Sequence, residues 1–408
     1  MAMFSSLCED RRSNTAPSSY SSGGHGILFV QYTNPDFYPT TYSTAKLLAG
    51  QGYQLEICAL ADRPTVIPDY GPGICMHRFV GRGGGWMAPV VFARFLLKTL
   101  IVGLFRRPSL IVGYDLHGLI VARIVAKCIC VPFIYHCYDI SIPEEGLGRF
   151  DTFLKQLEPA CADQAKNIIF PSESKASFFV QRWPLKVSMH IVANSPPLQP
   201  PKKSDALRRK LSVLGVDPRF IVYYHGSLGP GKGLHQVIES MVYWPRETVL
   251  VLIGIVNDSP YFERLMAAAN LIGVRKLVHY LGVVPFPELL DFTRSADIGI
   301  FLPDTQRVIH IYSGSAIVKL NDYMACGLPF LVADFPPLVE LVNETNAGEV
   351  VDDLNAEGLG RHIGDLLLDC RRRTLMAKNA YQAHREKYNL ETQYQPVLEI
   401  IRQSLASL

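Results

Sequence analysis

The chain has 408 residues, enough for two or three domains of ordinary size, and 48% of them are hydrophobic against 19% charged, which excludes a mostly disordered or fibrous protein. Forty basic and 37 acidic side chains leave a net charge of only +3, so the strong basic balance of a dedicated nucleic-acid binder is missing. The nine cysteines include no Cys-x-x-Cys pair and most sit in apolar runs, which fits reduced thiols in a cytosolic protein better than disulfides or a zinc site.

In chain order, residues 1–25 carry Ser, Gly and Pro without a continuous apolar core and read as a disordered arm, not a signal peptide. GILFVQY at 26–32 reads as a first strand, followed by a loop, a helix over 40–51 and a second strand, YQLEICAL. The segment 89–107, PVVFARFLLKTLIVGLFRR, is the best membrane candidate. Arg94 and Lys98 interrupt it, and its uncharged stretches fall short of the ~20 residues that cross a bilayer. With Arg94, Lys98, Arg106 and Arg107, no acidic residue and many large apolar ones, it suits a helix lying on an anionic surface. The alternative is a core-packed helix with snorkelling basic ends. SLIVGY and VPFIYHCYD (131–139) read as further strands with an apolar helix between them, and KNIIFPS (166–172) as another.

Composition then breaks. NSPPLQPPKKSD at 194–205 holds four prolines and three charges, which is linker chemistry. Beyond it the pattern restarts with RFIVYYHGSL, a helix over GLHQVIESMVYW, and the strands ETVLVLIGIV, KLVHYLG, ADIGIFLP and LPFLVAD. Two successive α/β halves about a Pro-rich hinge place a cleft between domains, with chemistry expected in the loops after the strands' carboxyl ends.

Two segments carry that chemistry. In YYHGSLGPGKGLHQVIESM (223–241) a strand runs into a turn rich in Gly226, Gly229, Gly231 and Gly233, with Lys232 inside it, and then a helix. Such a turn offers backbone N–H groups and a cation to a phosphate; it is not a Walker A loop, because Gly follows Lys232, and an ordinary βα turn with an exposed lysine is the alternative. In YSGSAIVKLNDYMACGLPFLVADFPPLVELV (312–342) the small residues 313–316 precede a helix over 317–326 on which Lys319 and Asp322 share a face. A carboxylate there suits two ribose hydroxyls; a surface ion pair, worth a few tenths of a kcal/mol, is the competing reading.

These segments, with Gly254 and HYLGVVPFPELLDFTRSADIGIFLP between them, resemble the C-terminal half of the retaining glycosyltransferases of family 4, whose fold is GT-B. VPFIYHCYD resembles that family's "P-hydrophobic run-His-Asp/Glu" strand end, 158–172 its "E…AD.vi..S" stretch, and Asn194-Ser-Pro-Pro its "N-x-P" entry to the linker. The likeness runs over roughly residues 26–400 and is most specific at 313–334. It implies that Lys232 holds the donor diphosphate, with Gly226 and Ser227 in the same turn. Asp322 would stand for the second Glu of the E-x7-E motif, on the ribose, with Lys319 beside it. Backbone groups at Gly314, Ser315 and Ala316 would face sugar and diphosphate, and Gly282 and Val283 would border the base. Asp139 would contact donor sugar or acceptor from the N-terminal domain, while the neighbouring His136 is either a polar site group or a buried, satisfied imidazole. Three motif positions depart from the family: the first Glu falls on Gly314, the Arg after the first glycine on Ser227, and the N-domain His on Tyr138. Family members with an N-K-L-x-E-Y-M run lack the first Glu as well.

The implied architecture is α/β, with two Rossmann-like domains facing each other across a cleft. The acceptor domain would span 26–195, a linker 196–206, the donor domain 207–385, and 386–408 would return as a helix to the first domain. The implied activity is transfer of a hexosyl group from a nucleotide-diphosphate sugar to a glycan, lipid-linked or small-molecule acceptor, in polysaccharide biosynthesis, with retention. The expected location is cytoplasmic, with peripheral membrane contact through 89–107. A nucleotide-sugar epimerase on the same fold and a catalytically degenerate binding protein are the alternatives. Neither Asp-x-Asp nor a Gly-x-Ser-x-Gly elbow occurs, and His and Cys do not cluster at ligand spacing, so no metal or other cofactor is expected.

Overall fold

The structure, a computed structural model of the chain, describes residues 26–61, 68–81, 85–140, 142–304, 311–312 and 314–406; the arm expected at 1–25 and Ser313 lie outside the described residues. Two parallel sheets organise them. The first has seven strands in the order β3-β2-β1-β4-β5-β6-β7: β1 (Gly26–Gln31), β2 (Gln54–Ala61), β3 (Ile74–Val80), β4 (Leu110–Tyr114), β5 (Phe133–His136), β6 (Asn167–Phe170) and β7 (Met189–Ile191). Helices α1 (Pro39–Gly50), α2 (Ala88–Arg106), α3 (Asp115–Ile129), α4 (Arg149–Ala162) and α5 (Glu173–Arg182) connect them. The second sheet follows α6 (Ala206–Val213), in the order β10-β9-β8-β11-β12-β13: β8 (Phe220–His225), β9 (Thr248–Ile253), β10 (Val278–Tyr280), β11 (Ile298–Phe301), β12 (Phe330–Ala333) and β13 (Gly348–Val351). Its helices are α7 (Leu234–Ser240), α8 (Ser259–Leu271), α9 (Phe286–Thr293), α10 (Val318–Ala325), α11 (Pro336–Thr345), α12 (Ala356–Leu368) and α13 (Cys370–Glu386).

Central strands such as β8 and β9 are buried along their whole length, because helices cover both faces of a parallel sheet. In each sheet the strand order reverses beside the first strand, between β1 and β4 and between β8 and β11. At such reversals the crossover helices diverge and leave a crevice at the strands' carboxyl ends. After α13 the chain runs through α14 (Leu390–Gln393) into α15 (Gln395–Ala406), whose Val397, Leu398, Ile401 and Leu405 pack into one core with Ile27, Phe29, Leu110 and Val112 of the first sheet.

Several elements differ from the sequence reading for local reasons. The strand expected at 131–139 is only Phe133–His136: Pro132 lacks an amide for the ladder, and the Tyr138 and Asp139 amides donate to the Asp115 carboxylate instead. The helix expected through Trp244 breaks into a 3-10 turn after Ser240, ahead of Pro245. Strands β3, β7 and β13, short or only partly buried, lack the continuous apolar run that marks the others. The absence of His/Cys clustering also needs correction, since ladder register groups residues that sequence separates: Glu56 lies opposite Cys75 on β3, and His77 follows on the same face.

Helix α2 is long and apolar enough to cross a membrane by length and composition, contrary to the sequence estimate. One face, with Phe92, Phe95, Thr99 and Gly103, is nevertheless buried in the first domain, where the Tyr32 ring meets Phe92 and Phe95 edge-on. The opposite face exposes Val90, Leu97, Ile101, Leu104 and Phe105, with Trp86 just before the helix; Trp86 and Phe105 are 89% and 83% exposed. Neither a wholly core-packed helix nor a free one describes it.

Candidate functional site

The crevice between β8 and β11 gathers the residues expected on the donor side. Gly226 follows β8 with φ +123°, and the turn closes through Gly233 at φ +68°, where a Cβ would fall 1.8 Å from the Leu302 carbonyl oxygen just after β11. Only a glycine lets the turn press this close to the neighbouring strand end. Lys232 sits in that turn, partly buried. Ser227 accepts a hydrogen bond from Tyr224 Oη at 2.9 Å through its carbonyl. Gly282 accepts one from the Gly254 amide at 2.8 Å, and Val283 beside it is exposed.

Helix α10 enters the same crevice. Its Tyr323 hydroxyl donates to the Tyr223 and Ile300 carbonyls, at 3.4 and 3.3 Å, which fixes the helix against β8 and β11. Lys319 then lays its ammonium over the Tyr224 ring, 4.1 Å from the centroid, and 5.0 Å from that of Phe301. Burial and the positive charge of Lys232 hold it well below the ordinary lysine pKa, with Asp322 pulling the other way. The two lysines therefore sit within Coulombic reach of each other. Asp322 is 1% exposed, so the surface ion pair is not what forms; neither of its oxygens has a hydrogen-bond partner, and burial raises its carboxyl to about 8 against the pull of Lys319. His225, at the end of β8, brings Nε2 to 3.6 Å from Asp322 Oδ2; burial, then Lys319, lowers it to about 3. Sequence reasoning passed over His225, although it stands at a strand's carboxyl end immediately before the glycine turn.

Between β11 and α10 the small-residue segment turns toward the first domain. Ser315 Oγ donates to the Pro171 carbonyl at 3.3 Å, and its own carbonyl accepts from Asn321 Nδ2 at 2.9 Å. The Ala316 carbonyl accepts from Asn194 Nδ2 at 3.0 Å, while Ser172 and Ser174 both donate to the Tyr312 carbonyl. The carbonyls of Ser315 and Ala316 are thus committed to protein partners, which leaves their amides as the groups able to meet an anion. Gly314 has φ +45°, and a Cβ there would lie 3.1 Å from Pro337 Cβ. A glutamate at this position would be strained, so the missing acidic residue goes with a different backbone path.

On the first-domain side, Asp139 follows β5 with its side chain 42% exposed, and Lys175 Nζ donates to its Oδ1 at 2.8 Å. Asp115, at the carboxyl end of β4, accepts the Tyr138 and Asp139 amides at 2.8 and 3.1 Å; burial raises it to about 6. His136 is buried beside Tyr114 and Tyr138, neither ring nitrogen is hydrogen-bonded, and burial lowers it to about 3. It is the buried imidazole of the sequence reading, but not a satisfied one. Tyr138, at the motif's histidine position, shares a hydrogen bond of 3.1 Å with Thr41. Asp115, Lys175 and Asn321 were not singled out from sequence, because their partners are 6 to 127 residues away in the chain and only folding pairs them. A separate cavity of about 460 Å³, lined by Tyr42, Lys46, Gln199, Phe286 and Arg294 among others, includes none of the donor-side residues.

The chain is similar to known proteins. Residues 209–383 match the family Glycosyl transferases group 1. Over 172 residues the chain is 29% identical to the GDP-mannose-dependent alpha-(1-6)-phosphatidylinositol monomannoside mannosyltransferase of Mycolicibacterium smegmatis, which covers 42% of this chain and 45% of that protein. Over 192 residues it is 28% identical to the D-inositol 3-phosphate glycosyltransferase of Xylanimonas cellulosilytica, covering 46% and 44%. The chain thus matches a little under half the length of these curated relatives. Among solved structures, Anabaena HepE in complex with UDP and glucose superposes with a TM-score of 0.71 over 93% of this chain and 100% of that one, at 19% identity. The protein therefore has the GT-B fold, and its second half, residues 209–383, carries the match to the group 1 glycosyl transferases.

Proposed function

We propose that the protein transfers a hexosyl group from a nucleoside-diphosphate sugar to an acceptor, with retention at the anomeric carbon and without a metal. The observation that carries this reading is the gathering at the β8/β11 crevice of the Lys319 ammonium, against Gly226 in the turn that bears Lys232, and the buried Asp322 carboxyl, neither oxygen of which is hydrogen-bonded. A diphosphate in the crevice would favour the charged form of Lys319, and as a leaving group its own charge grows as the sugar departs. Asp322 accepts the ribose hydroxyls, Gly282 and Val283 border the base, and the amides of Gly314, Ser315 and Ala316 face the sugar and diphosphate. Asp139, held by Lys175 on the opposite side of the cleft, contacts the donor sugar or acceptor. Closure about 194–205 brings the sides together. The UDP and glucose named for the Anabaena neighbour and the GDP-mannose named for the mycobacterial relative favour a nucleotide sugar as donor.

The acceptor we favour is lipid-linked, at the cytoplasmic face of a membrane. The exposed apolar stripe of α2, flanked by Arg94 and Arg107 and free of acidic residues, is suited to an anionic leaflet, and the mycobacterial relative is named for a phosphatidylinositol-based acceptor.

Incubation with nucleotide sugars, with and without acceptor lipids, tests the reading. Turnover that requires acceptor supports transfer. Acceptor-free isomerisation supports the epimerase, and binding without turnover supports a degenerate binding protein, which Gly314, Ser227 and Tyr138 at motif positions would favour. Lys232→Ala is expected to weaken nucleoside-diphosphate binding by ~1.5–3 kcal/mol, about 10- to 150-fold by calorimetry. Asp322→Asn should weaken it too without changing which sugar is preferred, and normal affinity in both folded variants removes the donor assignment.

A further inference from the structure

We propose that Glu56, Cys75 and His77 form a binding site for a thiophilic divalent cation of the zinc class, at the edge of the first sheet and separate from the donor crevice. The parallel register sets Glu56 of β2 against Cys75 of β3 and Cys58 against His77. Cys75 and His77, two residues apart on one strand, therefore share a face with Glu56, the face over which the end of α2 packs through Arg106.

Their donor atoms all lie within 4.8 Å of one another. His77 Nε2 is 3.7 Å from Cys75 Sγ and 2.5 Å from Glu56 Oε2. Usual zinc–ligand lengths in a tetrahedron give a sulfur–nitrogen edge of about 3.5 Å and a nitrogen–oxygen edge of about 3.4 Å. The first separation is already in place; the second opens by roughly 0.9 Å when a cation replaces the hydrogen shared by imidazole and carboxylate. Arg106 approaches the other oxygen, Oε1, at 3.3 Å, so Oε2 is the one turned to His77 and Cys75. One thiolate, one imidazole and one carboxylate form a mixed set that zinc takes, whereas magnesium and calcium prefer oxygen alone. Glu56 is 7% exposed, while Cys75 and His77 are partly open to solvent, which provides an entry path and a fourth position for water. Such a cation would tie the edge strand β3 to β2.

Cobalt(II) added to the full-length reduced protein is the probe. The expected result is a near-ultraviolet thiolate-to-cobalt band with the visible bands of four-coordinate cobalt, saturating at one equivalent and bleached by equimolar zinc. Cys75→Ser should abolish the bands, and His77→Asn should weaken cobalt binding at least tenfold. Arg106→Gln, which removes a competing cation from Glu56, should tighten it. A measurement needing no variant is zinc protection of Cys75 from iodoacetamide, read by peptide mass spectrometry. No band at one equivalent, a band that survives Cys75→Ser (as the exposed Cys128 and Cys130 would give), or Cys75 alkylation unaffected by zinc overturns the proposal.

Discussion

His136 and His225 close β5 and β8 with imidazoles that burial holds neutral, each lowered to about 3 from the ordinary 6.5. Between those values the unfolded chain binds a proton that the folded chain refuses, so stability is full above pH 6.5 and falls as pH drops toward 3. At pH 5 each such histidine costs about 2 kcal/mol. His136→Phe keeps the ring between Tyr114 and Tyr138 and sacrifices no hydrogen bond, because neither nitrogen makes one. Urea unfolding at pH 7 and pH 5 should show the variant losing about 2 kcal/mol less than the parent on acidification; equal losses would mean the folded imidazole already takes up the proton. Asp322 has the opposite sign. Its carboxyl is raised to about 8, so its burial is tolerated in the neutral form and weighs against folding increasingly as pH rises toward 8. A buried carboxyl kept at that cost, with neither oxygen hydrogen-bonded, is typical of groups at functional sites.

Among the elements, α2 carries the least ordinary distribution of surface. A helix packed on a sheet normally turns polar residues outward, yet this one turns Leu97, Ile101, Leu104 and Phe105 out. Of the four basic residues read from sequence, Arg106 is drawn to Glu56 and Lys98 lies over the Phe79 ring, which leaves Arg94 and Arg107 as the outward charges. If these meet anionic lipid at up to ~1 kcal/mol each, replacing both by Gln lowers vesicle affinity by as much as about 30-fold at low salt. Phe105→Ser, which removes an apolar contact without touching charge, should weaken binding at every ionic strength. Co-sedimentation with phosphatidylserine vesicles reads both. Wild-type protein that stays in the supernatant at low salt would assign the stripe to another partner.

For the whole molecule, the return of α15 to the first sheet makes that domain's core depend on a helix that follows the second domain. Ile401 is fully buried there, in a cluster with Phe29 and Val112. Ile401→Ala leaves a cavity in that core and should cost ~2–5 kcal/mol. Calorimetry should place the loss in the unfolding of the first domain, because α15 adds nothing to the cores around the second sheet. An unchanged transition would mean the C-terminal helix is not docked in solution. The same wrapping spans the linker, where the Leu390 amide donates to the Pro196 carbonyl at 2.9 Å.

By itself the sequence determined the two α/β halves and the compositional break at 194–205, and it marked the residues expected on the donor side, because apolar runs, glycine turns and helix spacing are local signals carried by neighbouring positions. It also located Lys232, Lys319 and Asp322, but not their state. That Asp322 is buried beside His225, that Lys319 is pressed over Tyr224, and that Asp139 is taken by Lys175 depend on how strands and helices meet. The partly exposed β3 and the short β13 were illegible for the same reason: their ladder partners, not their composition, make them strands. Which face of α2 is buried, and that Glu56 meets Cys75 and His77, follow from register and packing, since a side chain's neighbours across a sheet are set by tertiary pairing and leave no periodic mark in the chain.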